Sequence, residues 1–114
     1  MAEIAIQLDP AALPNPDADL RYVLPGRLVE RWPELFSEDG YDYGAASERM
    51  TVFLTTRDAD AAVSRVLEVL HGSPILGNPL SECGVIVAVS DVDHADDAES
   101  YRVVFPPGAR FSLE

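Results

Sequence analysis

Hydrophobic and polar residues alternate cleanly over residues 2–8, with Ala2, Ile4, Ile6 and Leu8 on one side and Glu3, Ala5 and Gln7 on the other. That is the period of a strand with one buried face. Residues 9–16 contain Pro10, Pro14 and Pro16 and must form a connection, because proline fits neither a ladder nor a helix interior. Asn15-Pro16 predicts a helix start, with Asn15 as cap, Pro16 in the first helical position, and Asp17 and Asp19 at the positive end of the dipole. Leu20, Val23, Leu24, Leu28, Val29 and Trp32 then recur at helical spacing, one apolar stripe across several turns. Pro25-Gly26 interrupts this stripe and predicts a kink or two short helices sharing a face; Pro33 ends the element. Trp32, a large aromatic on the stripe, is expected to anchor the core.

The second half carries more strand pattern. Glu38-Asp39-Gly40 predicts a turn, followed by a short extended segment with Tyr41 and Tyr43 on the same side. MTVFLTT at 50–56 is rich in β-branched and aromatic residues and is expected to pair antiparallel with the tyrosine segment. Asp58 or Asp60 starts a second helix, whose stripe is Ala59, Ala62, Val63, Val66, Leu67 and Leu70, and Gly72 stops it. Arg65 and Glu68 fall off that stripe as a solvated pair. The loop 73–82 holds Ile75, Leu76 and Leu80 among prolines and glycine, so its apolar residues are free to cap the core or to meet a partner. Residues 84–90, GVIVAVS, are apolar on both alternating faces, the pattern of a strand covered on both sides. An acidic loop follows at 91–99, then a last strand at 101–105 that Pro106-Pro107-Gly108 stops.

The order βαββαββ points to a single domain spanning 1–114, with a loosely held tail at 106–114. The expected fold class is an α+β ferredoxin-like two-layer sandwich: one mainly antiparallel sheet with two helices on one face. The other face would then be open, carrying Phe53, Ile86, Ala88 and the tyrosines.

Charge changes the functional picture more than the fold. The 114 residues carry 20 acidic and 8 basic side chains, net −12, and no lysine. Such a field repels phosphate backbones and anionic membrane surfaces and attracts a basic partner, so neither a nucleic acid nor a membrane is expected. The longest apolar run, 85–89, falls far short of the roughly 20 residues that cross a bilayer. With one cysteine, Cys83, and no secretion signal at the N-terminus, the expected home is the cytoplasm. Cys83 has no histidine or arginine beside it in sequence and is expected to be a packed thiol.

Candidate chemistry is thin. Asp91, Asp93, His94, Asp96, Asp97 and Glu99 form the densest group of ligand types, and DVDHADD begins like a calcium loop. It then departs, with Ala95 at the third alternating position, Asp96 in place of the turn glycine, and Arg102 where a bidentate acid belongs. No metal or cofactor is expected. His71 suits the negative end of the second helix, and His94 lies among carboxylates with no nucleophile near it in sequence. No phosphate-loop glycine spacing occurs, and Arg21, Arg27 and Arg31 make no groove-reading row. The chain is therefore expected not to be an enzyme.

The expected function is a protein-binding module of the immunity or antitoxin type, an inhibitor that covers the active site of a basic partner enzyme such as a toxin domain. In general character the chain is similar to small acidic bacterial immunity proteins, although no motif matches one family. Contacts are expected at Glu38, Asp39, Tyr41, Asp42 and Tyr43 and at Asp91, Asp93, Asp96 and Asp97, because charge speeds encounter and aromatic anchors supply affinity. The alternative is a homodimer joined through the open sheet face that binds a small molecule or acts as a cofactor-free enzyme.

Overall fold

The computed structural model describes residues 2–44, 49–91 and 100–111. Its strands are β1 (Ala2–Leu8), β2 (Ser37–Tyr43), β3 (Met50–Thr56), β4 (Ile86–Ser90) and β5 (Arg102–Phe105), and its helices α1 (Leu20–Arg31) and α2 (Ala59–Leu70). The sheet order is β2-β3-β1-β4-β5, and every neighbouring pair is antiparallel. The first four strands with the two helices form the βαββαβ arrangement of the ferredoxin-like sandwich, to which β5 adds an edge beside β4.

The helix side of the sheet holds the main core. Ile4, Ile6, Leu8, Met50, Val52, Leu54, Val87 and Val89 meet Leu20, Leu24 and Leu28 of α1 and Ala62, Val66, Val69 and Leu70 of α2, all buried. The 73–82 loop contributes Ile75 and Leu80 to the same cluster, so its apolar residues cap the core.

Several expectations are corrected by position in the sheet. β1 is its middle strand, and its outward residues are buried too, Glu3 and Gln7 included; one buried face holds only for a strand with solvent on the other side. Gln7 Nε2 donates to Thr51 Oγ1 at 3.1 Å, which satisfies part of that buried polarity. Ala5, Ala88 and Tyr101 form a second, smaller cluster on this outer face, with Phe53 and Phe111 packed against it; the Tyr101 and Phe111 rings lie 5.1 Å apart. The outer face is thus largely covered, with Phe53 and Ile86 half-buried.

The helix starts four residues later than Asn15-Pro16 suggests, at Leu20. Asn15 is engaged elsewhere, paired with Asn78: its backbone N–H donates to Asn78 Oδ1 and its carbonyl accepts from Asn78 Nδ2, both at 2.8 Å. α1 runs unbroken through Pro25, which is buried on the core face, so one missing backbone bond does not split the helix. Trp32 is the half-buried C-cap, packed against the core from its edge with its ring 6.4 Å from that of buried Phe36; Arg31 and Arg65 stack on its ring at 4.4 and 5.2 Å. For α2, Asp58 is the cap, accepting from Ala61 N–H at 3.1 Å. Arg65 and Glu68 pair at 3.3 Å on the exposed surface.

Glu38-Asp39-Gly40 is a bulge inside β2 and not a turn before it. Gly40 takes φ +87°, and the register with β3 slips between Glu38 and Tyr41. Three residues of β2 therefore span two of β3, and Glu38 and Tyr41 both lie opposite helix-facing partners, Leu54 and Val52. Tyr41 and Tyr43 consequently project on the helix side, opposite Val52 and Met50, and not on the outer face.

Candidate functional site

An edge strand and a helix meet where the tyrosines project. Tyr22 of α1 falls off the apolar stripe of Leu20, Leu24 and Leu28 and leans toward β2. Its ring centroid is 5.9 Å from that of Tyr41 at 88°, and Tyr41 stands 5.9 Å from Tyr43 at 84°. Such edge-to-face contacts suit the ring quadrupole. Arg21 ties the row together: its guanidinium carbon lies 4.6 Å from the Tyr22 ring centre and 5.2 Å from that of Tyr41. Its Nη1 donates to Tyr43 Oη at 3.0 Å and to the Ala18 carbonyl at 3.3 Å. Hydrogen bonding to Tyr22, and next to Tyr43, pushes the Arg21 pKa further up. The same bond from Arg21 lowers the Tyr22 pKa, whereas hydrogen bonding with Tyr22 raises that of Tyr41.

These three tyrosines are the exposed large hydrophobic side chains among the described residues: Tyr22 at 52%, Tyr41 at 42% and Tyr43 at 46%. Scattered singly they would need no explanation; gathered into one braced row, they form a patch. Behind Tyr43 the patch opens into a pocket of about 90 Å³ lined by Leu8, Pro10, Leu13, Pro16, Asp17, Ala18, Tyr43 and Met50.

The remaining sequence candidates distribute unevenly around this patch. Glu38 is exposed on the same side of β2 as the tyrosines, Asp39 is half-buried at the bulge, and Asp42 is exposed on the opposite side of the strand, its Oδ1 accepting from the Tyr43 N–H at 2.8 Å. Asp91 lies elsewhere. It follows Ser90, which pairs with Glu3 at the start of β1, whereas Tyr43 pairs with Met50, opposite Leu8 at the end of β1. Three strand spacings, about 14 Å, add to that separation. Asp91 instead sits 3.6 Å from Arg102 across exposed surface. Asp93, Asp96 and Asp97 lie outside the described residues. The tyrosine strand and the start of the acidic loop are thus two surfaces, not one.

Sequence reasoning missed Arg21 and Tyr22. The available signal was an aromatic off the apolar stripe of an amphipathic helix, where a polar residue is expected.

Other chemistry is sparse. Arg27 and Arg31 line a pocket with Glu68, and Arg31 and Arg57 line another with Trp32 and Glu34; a glutamate in each keeps them from forming an all-cation groove. Cys83 is buried, donates to the Pro79 carbonyl at 3.1 Å, and has its pKa raised by burial and then by Glu82, the reverse of an activated thiol. His71 Nδ1 lies 2.8 Å from the Leu67 carbonyl at the end of α2, a capping arrangement. Among the described residues no three His, Cys, Asp or Glu side chains are grouped to hold a metal ion, and no helix is long and apolar enough to cross a membrane. The chain matches no family model, no curated protein and no solved structure.

Proposed function

We propose that this protein is a stoichiometric protein-binding module, an immunity- or antitoxin-type inhibitor that docks a basic partner through the Tyr22–Tyr41–Tyr43 row. The observation that carries this reading is the gathering of the exposed large hydrophobic side chains into one patch braced by Arg21. Tyrosine and arginine dominate the residues that anchor protein interfaces, because they bring large area at low entropy. Edge-to-face packing and the Arg21 bonds hold the rings in place before binding, which reduces the ordering cost of association. The net charge of −12 supplies the steering that favours a basic partner.

The test compares the wild-type chain with a Tyr41→Ser/Tyr43→Ser variant as bait in lysate of its source cells, at low and high salt. Expected is a basic protein bound one to one by the wild type, released by salt, lost with the variant, and inhibited in its own reaction when the two are mixed. Equal capture by both baits refutes the site; a partner whose activity is unchanged on binding refutes the inhibitor role. A symmetric homodimer by light scattering, with no captured partner, supports the alternative.

A further inference from the structure

The pocket behind Tyr43 has the shape and polarity of a socket for one side chain. Its floor is core: Leu8, Leu13 and Met50 are all buried, so the cavity is preformed and not opened by a moving loop. Pro10 and Pro16 stiffen one wall, and Tyr43 from the exposed row forms another. An enclosed apolar cavity of about 150 Å³ takes up benzene; at about 90 Å³ this recess is smaller and has the size of one branched aliphatic side chain. Apolar walls also make a poor water site, since a bound water needs two to four polar partners.

Asp17 is the one charged residue in the lining. One of its oxygens, Oδ1, accepts from the Asp19 N–H at 2.9 Å, and no cation pairs with the carboxylate among the described residues. An aliphatic group entering the pocket would therefore bring whatever is attached to it next to an uncompensated negative charge at the mouth. A neighbouring cation is favoured there and a neighbouring anion is repelled.

We infer that the pocket takes a leucine-, isoleucine- or valine-type side chain of the protein partner, with an adjacent basic residue of that partner on Asp17. The inference rests on the reading of the tyrosine row as a docking patch, and it names what the patch recognises: an aliphatic residue beside an arginine or lysine. The tyrosines then flank the anchor and exclude water from it, as the near-neutral surround of an interface hot spot does.

The test uses the isotope-labelled full chain and three small probes followed by NMR: 3-methylbutylammonium, its neutral alcohol, and benzylammonium. The branched ammonium is expected to saturate in the millimolar range with shifts clustered at Leu13, Ala18, Tyr43 and Met50. The alcohol should bind about two- to fivefold more weakly, the modest worth of an exposed ion pair, and benzylammonium should bind more weakly than the branched ammonium, tighter binding of the ring overturning the choice of an aliphatic anchor. Asp17→Asn should bring the ammonium down to the level of the alcohol. Ala18 is exposed at the rim, so Ala18→Leu should plug the pocket and abolish the shifts while the spectrum stays dispersed. No saturation by the branched ammonium overturns the socket; equal binding of ammonium and alcohol overturns the cation beside it. If Ala18→Leu perturbs folding, the wild-type probe series and Asp17→Asn still decide. With the partner in hand, Ala18→Leu should weaken binding by at least ~10-fold, given the apolar area it displaces. Binding lost with the tyrosine variant but unchanged with Ala18→Leu overturns the socket and leaves the docking patch standing; binding unchanged in both overturns the two together.

Discussion

Asn78 is fully buried and its amide faces four backbone groups within hydrogen-bond distance. The two Nδ2 hydrogens are shared among the carbonyls of Asn15 at 2.8 Å, Ile75 at 3.2 Å and Leu76 at 3.2 Å, and Oδ1 accepts from the Asn15 N–H at 2.8 Å. Ile75 and Asn78 also exchange two backbone bonds, at 3.0 and 2.9 Å, around Leu76 and Gly77. Both central residues have positive φ, 50° and 81°, as a type I′ turn requires. Leucine in that region is disfavoured by roughly 1–2 kcal/mol, so this turn depends on what Asn78 holds. Asn78→Ala removes the equivalent of three side-chain bonds, two from the Nδ2 hydrogens and one to Oδ1, each worth about 1 kcal/mol net. The Asn15 groups are only part-buried, and water can replace some of what they lose. The expected destabilisation is therefore about 2–3 kcal/mol, large against a total of roughly 6–17 kcal/mol for a chain this long but not enough to unfold it.

Asn15→Ala is the control, because its side chain makes a single exposed bond, Nδ2 to the Leu76 carbonyl at 2.8 Å, while the backbone bonds to Asn78 survive. It should cost less than about 1 kcal/mol. Urea unfolding followed by fluorescence of Trp32, the single tryptophan of the chain, measures both. A value under about 1 kcal/mol for Asn78→Ala, or equal values for the two variants, would refute the claim that this buried amide pins the 15–16 connection to the loop after α2.

Gly26→Ala should stabilise by about 0.5–1 kcal/mol and raise Tm by several degrees, since a Cβ there meets no atom within 4 Å; Gly40→Ala should lower Tm, because φ +87° is strained for any side chain. Tyrosine titration by ultraviolet difference absorbance should show Tyr22 ionising below the ordinary value of 10.0 and Tyr41 above it, and Arg21→Met should return Tyr22 upward. The lowered Tyr22 pKa adds stability as pH rises from that folded value to the ordinary one, whereas the raised Tyr41 pKa removes stability above the ordinary value; a denaturation midpoint falling across the lower interval would contradict the Arg21–Tyr22 bond. Cys83 should react with a disulfide reagent orders of magnitude more slowly in the native chain than in urea, and comparable rates would contradict its burial.

Local pattern was legible where one physical rule governs the element. β1 and β3 have the bounds their alternation predicts, and α2 has the stripe its spacing predicts, with Asp58 the cap of the two candidates, Asp58 and Asp60. Errors arose where a residue answers to something distant in sequence. Asn15 looks like a cap until Asn78, 63 residues away, claims its backbone. Glu3 and Gln7 read as solvent-facing because alternation says nothing about whether a strand is central or at an edge. The face of the tyrosines depends on one extra residue at Gly40, and a one-residue slip reverses every side chain after it. Tyr22 and Tyr41 are brought together only by α1 packing over β2. The fold class was thus readable from local pattern, whereas the patch is a product of tertiary packing.

That origin bears on what the patch is for. β2 is an edge strand with α1 beside it, and ordinary edges carry charge or short polar side chains that discourage association. Here the acidic residues are present, at Glu38, Asp39 and Asp42, and the bulge at Gly40 interrupts the edge as well, so the strand is defended against pairing with another strand. The tyrosines stand on the helix side of that same defended edge, where their rings present faces and edges to solvent while the backbone is made unattractive. On the proposed reading, an edge that resists strand addition yet displays three braced aromatic rings beside an apolar pocket would admit a partner through its side chains and not through its backbone, and the net negative charge would favour a basic one.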